Sequence, residues 1–363
     1  MFATLAGAYP RTPRPGQPFR LRAAYGRLER GEIDPAGFRA VQDDLVRELL
    51  AEQAEAGLEL LTDGQVRWDD PMSPLAHGLD GFEITGLLRW FDTNTYFRQP
   101  RALRTPTWRG PITVEDWRFA ASATEVPVKQ CLVGPYTLGR LADAGDVGRE
   151  TVTLAAAEAL REELRALLEA GAPVIQVDEY ALTMVGADDD TERRLFGEAM
   201  RRLTEGLGEV GHLSLAVTMG SAEHVGAATL FEAPFRSYLF DLIAGPDNWR
   251  IVADAPGERG VVCGVADARS TRPDELEVMV WAAHCAASTS GRGLERVGLS
   301  PSTGLEYLPR DRAKAKIELL GRAARHAAGT PDELIGALDP RAVTLGGRRR
   351  TATPPASSPG GAS

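Results

Sequence analysis

GAPVIQVDEYAL, Gly171 to Leu182, is a short run of branched apolar residues that ends on two adjacent carboxylates, Asp178 and Glu179. Bounded by Gly171 and Pro173 and preceded by a long helical pattern, it reads as a strand buried on both faces, as in parallel sheets with helices packed outside. Such a strand presents its charged residues at its carboxyl end, where ligands sit in barrel and doubly wound folds. Asp178 and Glu179 are therefore the first candidates for a site, and the structural alternative is that they cap the next helix or bind an arginine.

Outward from this strand, β-branched runs alternate with longer helical patterns, the mark of βα units around a parallel sheet. Eight strands are predicted: Phe2 to Gly7, Leu58 to Thr62, Pro127 to Leu132, Pro173 to Val177, Leu213 to Val217, Ser237 to Phe240, Gly260 to Val265 and Val297 to Leu299. Eight closes a barrel, so the fold class is α/β, a (β/α)8 barrel filling residues 1–345 as one domain. Helices are predicted at Pro35 to Ala56 with Asp34 as N-cap, Gly148 to Ala170, Thr191 to Gly206, Pro273 to Ala287 and Arg310 to Ala328. The long, aromatic insertion after the second strand, Asp63 to Val126, is expected to include a hairpin and to cover the mouth. Residues 346–363, GGRRRTATPPASSPGGAS, are too polar to order themselves and are expected to be disordered. No internal repeat is evident.

Composition narrows the function. Apolar residues make up 43% and charged residues 25% of the 363, ordinary globular values, and no apolar run approaches a bilayer span. The start carries no export signal, so a cytoplasmic location is expected. A net charge of −10 argues against nucleic acid and for a small-molecule ligand. Three cysteines without CxxC spacing, Cys131, Cys263 and Cys285, suggest neither a disulfide framework nor a zinc knuckle, and read as buried small hydrophobes. Oligomeric state is not legible.

A barrel must bring the residues after each strand to one mouth. Tyr9, Pro10 and Arg11 follow the first strand, Asp63, Gly64, Gln65, Val66, Arg67, Trp68 and Asp69 the second, and Asp178, Glu179 and Tyr180 the fourth. Arg11 and Arg67 offer forks for a carboxylate, and the acidic residues accept an amine or pair with those arginines. Together they describe a site for a small zwitterion such as an amino acid, with Asp178, Glu179 and Tyr180 as the acid/base groups. An internal ion-pair network closing the barrel top is the alternative for any one of them.

TLAGAYPRT, QAEAGLELLTDGQVRWD, VKQCLVGPYTL, VIQVDEYAL, Gly264 to Asp267 and LSPSTGLEYLPRDRAKAKIELL, in this order, resemble the catalytic barrel of the cobalamin-independent methionine synthases over roughly residues 1–330, in the single-barrel form. The resemblance implies transfer of a methyl group from a folate or a corrinoid to a homocysteine thiol held on zinc. It also implies four zinc ligands, which fall here on Ala216, Thr218 and Thr303, with Asp241 within one residue of the fourth. Three of the four cannot hold zinc tightly at neutral pH, so zinc is not expected. The DGE glutamate of the family is Gln65, its strand-one serine is Ala8, and Tyr180 stands where Pro is usual. Asp178, which in the family contacts the substrate amino group, is kept, as are Tyr9, Arg11, Asp63, Arg67 and Asp69.

The sequence thus predicts a methionine-synthase-like transferase acting on a small amino-acid-like substrate, with methyl or other one-carbon transfer from a folate-type or corrinoid donor but without zinc. Substrate contacts are expected from Tyr9, Arg11, Asp63, Gln65, Arg67, Asp69, Asp241, Thr218 and Thr303, and no metal ligands are expected. Two alternatives are a repurposed enzyme doing elimination or acid/base chemistry, and a binding pseudoenzyme. None of the five histidines, His77, His212, His224, His284 and His326, pairs with another ligand toward the mouth.

Overall fold

The computed structural model describes residues 1–330, so the expectations for residues 331–363, including the domain end at 345 and the tail, lie outside the described residues. Nine strands are present among the described residues: β1 (Phe2–Ala3), β2 (Leu79–Arg89), β3 (Tyr96–Trp108), β4 (Gln130–Val133), β5 (Ile175–Asp178), β6 (Leu213–Val217), β7 (Ser237–Asp241), β8 (Gly260–Ala266) and β9 (Val297–Pro301). Seven of them form one parallel sheet in the order β1-β9-β8-β7-β6-β5-β4. Leu60 and Leu61 close it, through parallel bridges from Thr4 to Leu60 and from Leu61 to Val128. The amide of Glu59 donates to Ala3 at 3.0 Å and that of Lys129 to Leu61 at 2.9 Å. The ring is an eight-membered (β/α)8 barrel.

The first two barrel strands are shorter than their apolar runs. Side-chain hydroxyls take over part of the ladder: Thr4 Oγ1 donates to the Leu60 carbonyl and Thr62 Oγ1 to that of Gly7, both at 2.7 Å. Residues of β4, β5, β6 and β7 are buried without exception, as two-sided packing inside a helical layer requires. The outer helices include Pro35–Glu55, Arg149–Glu169, Asp190–Thr204, Leu276–Ser288 and Arg310–Ala327. Asp34 caps the first of these, accepting from the Gly37 amide at 2.7 Å ahead of Pro35. Among the described residues, six α-helices escaped the sequence reading, Arg20–Glu29, Ser73–Gly78, Val114–Ser122, Pro135–Leu141, Ala227–Glu232 and Asn248–Asp254.

The insertion after the second barrel strand is the hairpin β2–β3 framed by two short helices. Its tip reaches the mouth. Trp90 meets Tyr180 edge-on at 5.1 Å between ring centroids, and Asp92 pairs with Arg269, beyond β8, at 2.8 Å. The returning chain is fastened by Glu163 of the outer helix Arg149–Glu169. This fully buried carboxylate accepts from Trp108 Nε1 (3.0 Å), the amides of Ile112 (2.8 Å) and Thr113 (2.7 Å), and Thr113 Oγ1 (2.8 Å).

Inside the barrel, one side is apolar, with Ala6, Ala216, Leu239 and Val262 in mutual contact. The other side is polar. Lys129, next to β4, donates from Nζ to Gln176 Oε1 at 2.6 Å, and Gln176 crosses the interior to the Ala6 carbonyl at 2.6 Å. A cavity of about 720 Å3 opens at the amino-terminal end, lined by strand-start residues such as Thr4, Lys129, His212 and Ser237. His212 sits there as expected, bonded to Ser237 at 2.8 Å. In barrel enzymes this end carries stability and the opposite end carries chemistry.

Candidate active site

Asp178 ends β5 with 2% of its surface exposed. Gln176, two residues earlier and therefore on the same face of the strand, donates from Nε2 to Asp178 Oδ1 at 2.6 Å, and Tyr180 donates to Oδ2 at 3.3 Å. Because Gln176 Oε1 is committed to the Lys129 ammonium, its amide is held with the NH2 group toward Asp178. Burial pushes the Asp178 carboxyl well above its ordinary range, while the Gln176 bond and the Lys129 charge oppose that push. Burial likewise drives Lys129 down and Tyr180 up. Polar residues in otherwise apolar inward runs, VKQ and VIQ, were the sequence signal for Lys129 and Gln176, which the sequence reading left out of the site.

Glu179 turns the other way. Its carboxylate accepts from the amides of Tyr136 (3.0 Å) and Thr137 (2.7 Å) and from Thr137 Oγ1 (2.6 Å), so it caps the helix Pro135–Leu141. Burial raises its pKa to about 7 against these donors. Glu179 thus caps a helix that precedes β5, not the next helix that the sequence offered as the alternative, and its oxygens are turned to these donors and away from the expected acid/base set.

Arg67 also leaves the mouth. Its guanidinium pairs with Asp43 at 2.6 Å and Asp116 at 3.7 Å and lies over the Phe119 ring, between two outer helices. Tyr9 contributes to the mouth cavity, yet its hydroxyl faces Glu52, Arg310 and Arg14 on the outer side. Asp63 Oδ1 accepts the Gln65 amide at 2.9 Å in a tight turn, Oδ2 has no partner, and burial lifts its pKa to about 6. That turn holds Gln65 at φ +53°, a left-handed backbone that a glutamine adopts only under constraint.

Between the first two connections, the hairpin tip and the segment after β9 lies a cavity of about 420 Å3. Arg11, Gln65, Asp69, Trp90, Glu306 and Tyr307 are on its wall. Arg11 Nη1 is bound to the carbonyls of Trp68 and, at 3.4 Å, Val66, and Asp69 is paired with Arg98 at 3.2 Å near solvent. Glu306 was not among the expected residues. It lies only three positions beyond Thr303, and nothing in periodicity marks it.

The positions that the resemblance equates with zinc ligands do converge. Thr218 Oγ1 and Thr303 Oγ1, just beyond β6 and β9, are 3.2 Å apart. Asp241 at the end of β7 spends Oδ1 on the amides of Ile243 (2.9 Å) and Ala244 (2.8 Å) and Oδ2 on that of Met219 (3.2 Å), and burial lifts its pKa to about 6. Two hydroxyls, a methyl group at Ala216 and a carboxylate already saturated by amides do not fit tetrahedral zinc. Among the described residues no group of three His, Cys, Asp or Glu is placed to hold a metal.

The family model described as the cobalamin-independent synthase catalytic domain matches residues 1–198. The chain belongs to this family. Methionine synthases of Sulfurisphaera tokodaii and Saccharolobus solfataricus are 31% and 30% identical over 181 residues, 49% of this chain and 52% of each relative. A 5-methyltetrahydropteroyltriglutamate–homocysteine methyltransferase of Cronobacter sakazakii is 32% identical over 182 residues, 49% of this chain and 23% of that protein. The matches thus span about half or less of these relatives. In three dimensions the likeness runs further. A B12-independent methionine synthase from Shewanella sp. W3-18-1, solved with selenomethionine, has a TM-score of 0.75 at 18% identity, covering 92% of this chain and 98% of that one. A putative one from Listeria monocytogenes has 0.71 at 17%, covering 91% and 98%. The likeness in barrel fold therefore extends well beyond the matched half. Asp178 lies within the match, whereas Ala216, Thr218, Asp241 and Thr303 lie beyond it.

Proposed function

We propose that the protein is a methionine-synthase-like transferase that moves a methyl or other one-carbon group to or from a small amino-acid-like substrate, without a zinc-held thiolate. The observation that carries the reading is Asp178: a buried carboxylate at a strand's carboxyl end, aimed by Gln176 and Tyr180 as a seat for an amino group. The selenomethionine bound by the Shewanella relative is a ligand of the size and charge such a seat takes.

Arg11, which keeps further guanidinium donors beyond those on Val66 and Trp68, is the group available for the substrate carboxylate. Gln65 offers a neutral hydrogen-bonding surface at the rim. Thr218, Thr303 and Asp241 then surround the reacting end. A free thiol there is only a few per cent ionised at pH 7, so the reacting atom is either not a thiol or gives its proton to a rim carboxylate. A folate-type or corrinoid compound is the donor class to try first, and a cytoplasmic location fits it.

The bond from Tyr180 to Asp178 also favours a second reading, proton transfer on the amino acid without methyl transfer. One experiment separates them. Purified protein is incubated with L-homocysteine or L-methionine and a methylated or unmethylated folate, in deuterated water, and products are followed by mass spectrometry. A methyl shift supports the transferase. Solvent deuterium at the α-carbon with no methyl shift supports the second reading. Absence of both, with no calorimetric binding of either amino acid, overturns both.

A further inference from the structure

The segment after β9 places a second carboxylate at the mouth. Glu306 folds back over the Thr303–Gly304 turn so closely that a methyl group at residue 304 would collide with Oε2, and the missing side chain of Gly304 is what admits it. The residue lines the 420 Å3 cavity. Tyr307 is the donor that faces its carboxylate, while Oε2 has no hydrogen-bond partner. No arginine or lysine lies within ion-pair distance of it in the described part of the chain. Arg11, the nearest guanidinium acting on it, is turned to the carbonyls of Val66 and Trp68, and Arg269 is committed to Asp92.

Asp178 and Glu306 differ in how their charge is met. Asp178 is served from inside the barrel by Lys129 through Gln176. Glu306 has no such support, and an enclosed carboxylate with an unpaired oxygen is costly until a proton or a cation arrives. It packs against Gly304 on the segment after β9, and its charge is felt at Asp178 and Tyr180, so it faces the same mouth as the amino seat from another wall. A thiolate brought there meets a negative group, and a positive one meets its counter-ion.

We infer that Glu306 recognises the substrate's far end, and that the site takes an α-amino acid whose side chain carries a positive charge, either an ammonium or a sulfonium. The inference rests on the amino-acid reading above and adds the side-chain class to it. Glu306 is then a specificity-determining residue: its carboxylate pairs with the side-chain cation while Asp178 holds the α-amino group.

Isothermal titration of the full chain tests this with matched pairs, L-lysine against L-norleucine for the ammonium and S-methyl-L-methionine against L-methionine for the sulfonium. In at least one pair the cationic member should bind about tenfold tighter, the value of one charge-assisted contact. The pair that responds names the cation. Glu306→Gln should bring that ratio to about two or less, and Gly304→Ala, which displaces the carboxylate but keeps the charge count, should lower it as well. Equal affinities within both pairs, or a preference that survives Glu306→Gln, overturns the inference and leaves the amino-acid reading standing. Failure of all four ligands to bind overturns both.

Discussion

At the scale of single residues, the site turns on an amide that cannot rotate. Gln176 accepts from Lys129 and donates to Asp178, so removing the ammonium frees the amide to flip and point its oxygen at the carboxylate. Lys129→Met should therefore weaken amino-acid binding by about tenfold, the worth of one directed bond to a charged group. It should leave the melting temperature unchanged or raised, because a buried ammonium is itself costly. Calorimetry and thermal unfolding of the same sample check both halves. Asp178→Asn should abolish binding with the fold intact, measured by titration alongside circular dichroism. The position of Asp178 at the carboxyl end of β5 was legible from sequence because the buried apolar run stops on it. Arg67 and Glu179 were misplaced for a shared reason: sequence position gives the strand end, but the direction of the side chain is set by partners far away, Asp43 and Asp116 for one, Tyr136 and Thr137 for the other.

Among elements, the barrel strands were the most readable, since residues enclosed on both faces leave an unbroken apolar run with few rivals. The helix Arg20–Glu29 was missed because it buries only Ala24 and so carries almost no apolar stripe. Two predictions belong to this scale. Glu163 gathers four donors, three of its partners being residues of the returning insertion. Glu163→Gln sets an amide N–H against at least one of them and should cost about 2–3 kcal/mol. The readouts are a lower melting temperature and faster proteolysis between Leu79 and Trp108. The helix Asp190–Thr204 is tied inward by Glu192, which accepts from Tyr136 at 2.6 Å and pairs with Arg149 and Arg140. The Arg149 bond above all holds its carboxyl at about 2, below the ordinary 4.5. A depressed pKa stabilises the fold fully above the unfolded value and progressively less as pH falls from about 4.5 toward 2, by at most about 3 kcal/mol. Glu192→Gln should accordingly flatten the acid side of a stability-versus-pH curve measured by urea unfolding while lowering stability at neutral pH.

For the molecule as a whole, the fold is continuous across the ring while sequence likeness to the family is concentrated in residues 1–198. Purified protein should hold under about one tenth of an equivalent of zinc per chain, because the converging donors are two hydroxyls and a saturated carboxylate. Elemental analysis after dialysis decides it, and tightly bound zinc near one per chain would contradict it. The hydroxyl pair of Thr218 and Thr303 ties the ends of β6 and β9 together across the cup. Because β6 is the direct neighbour of β5, such a seam also braces the wall that carries Asp178, so loosening it should be felt at the amino seat.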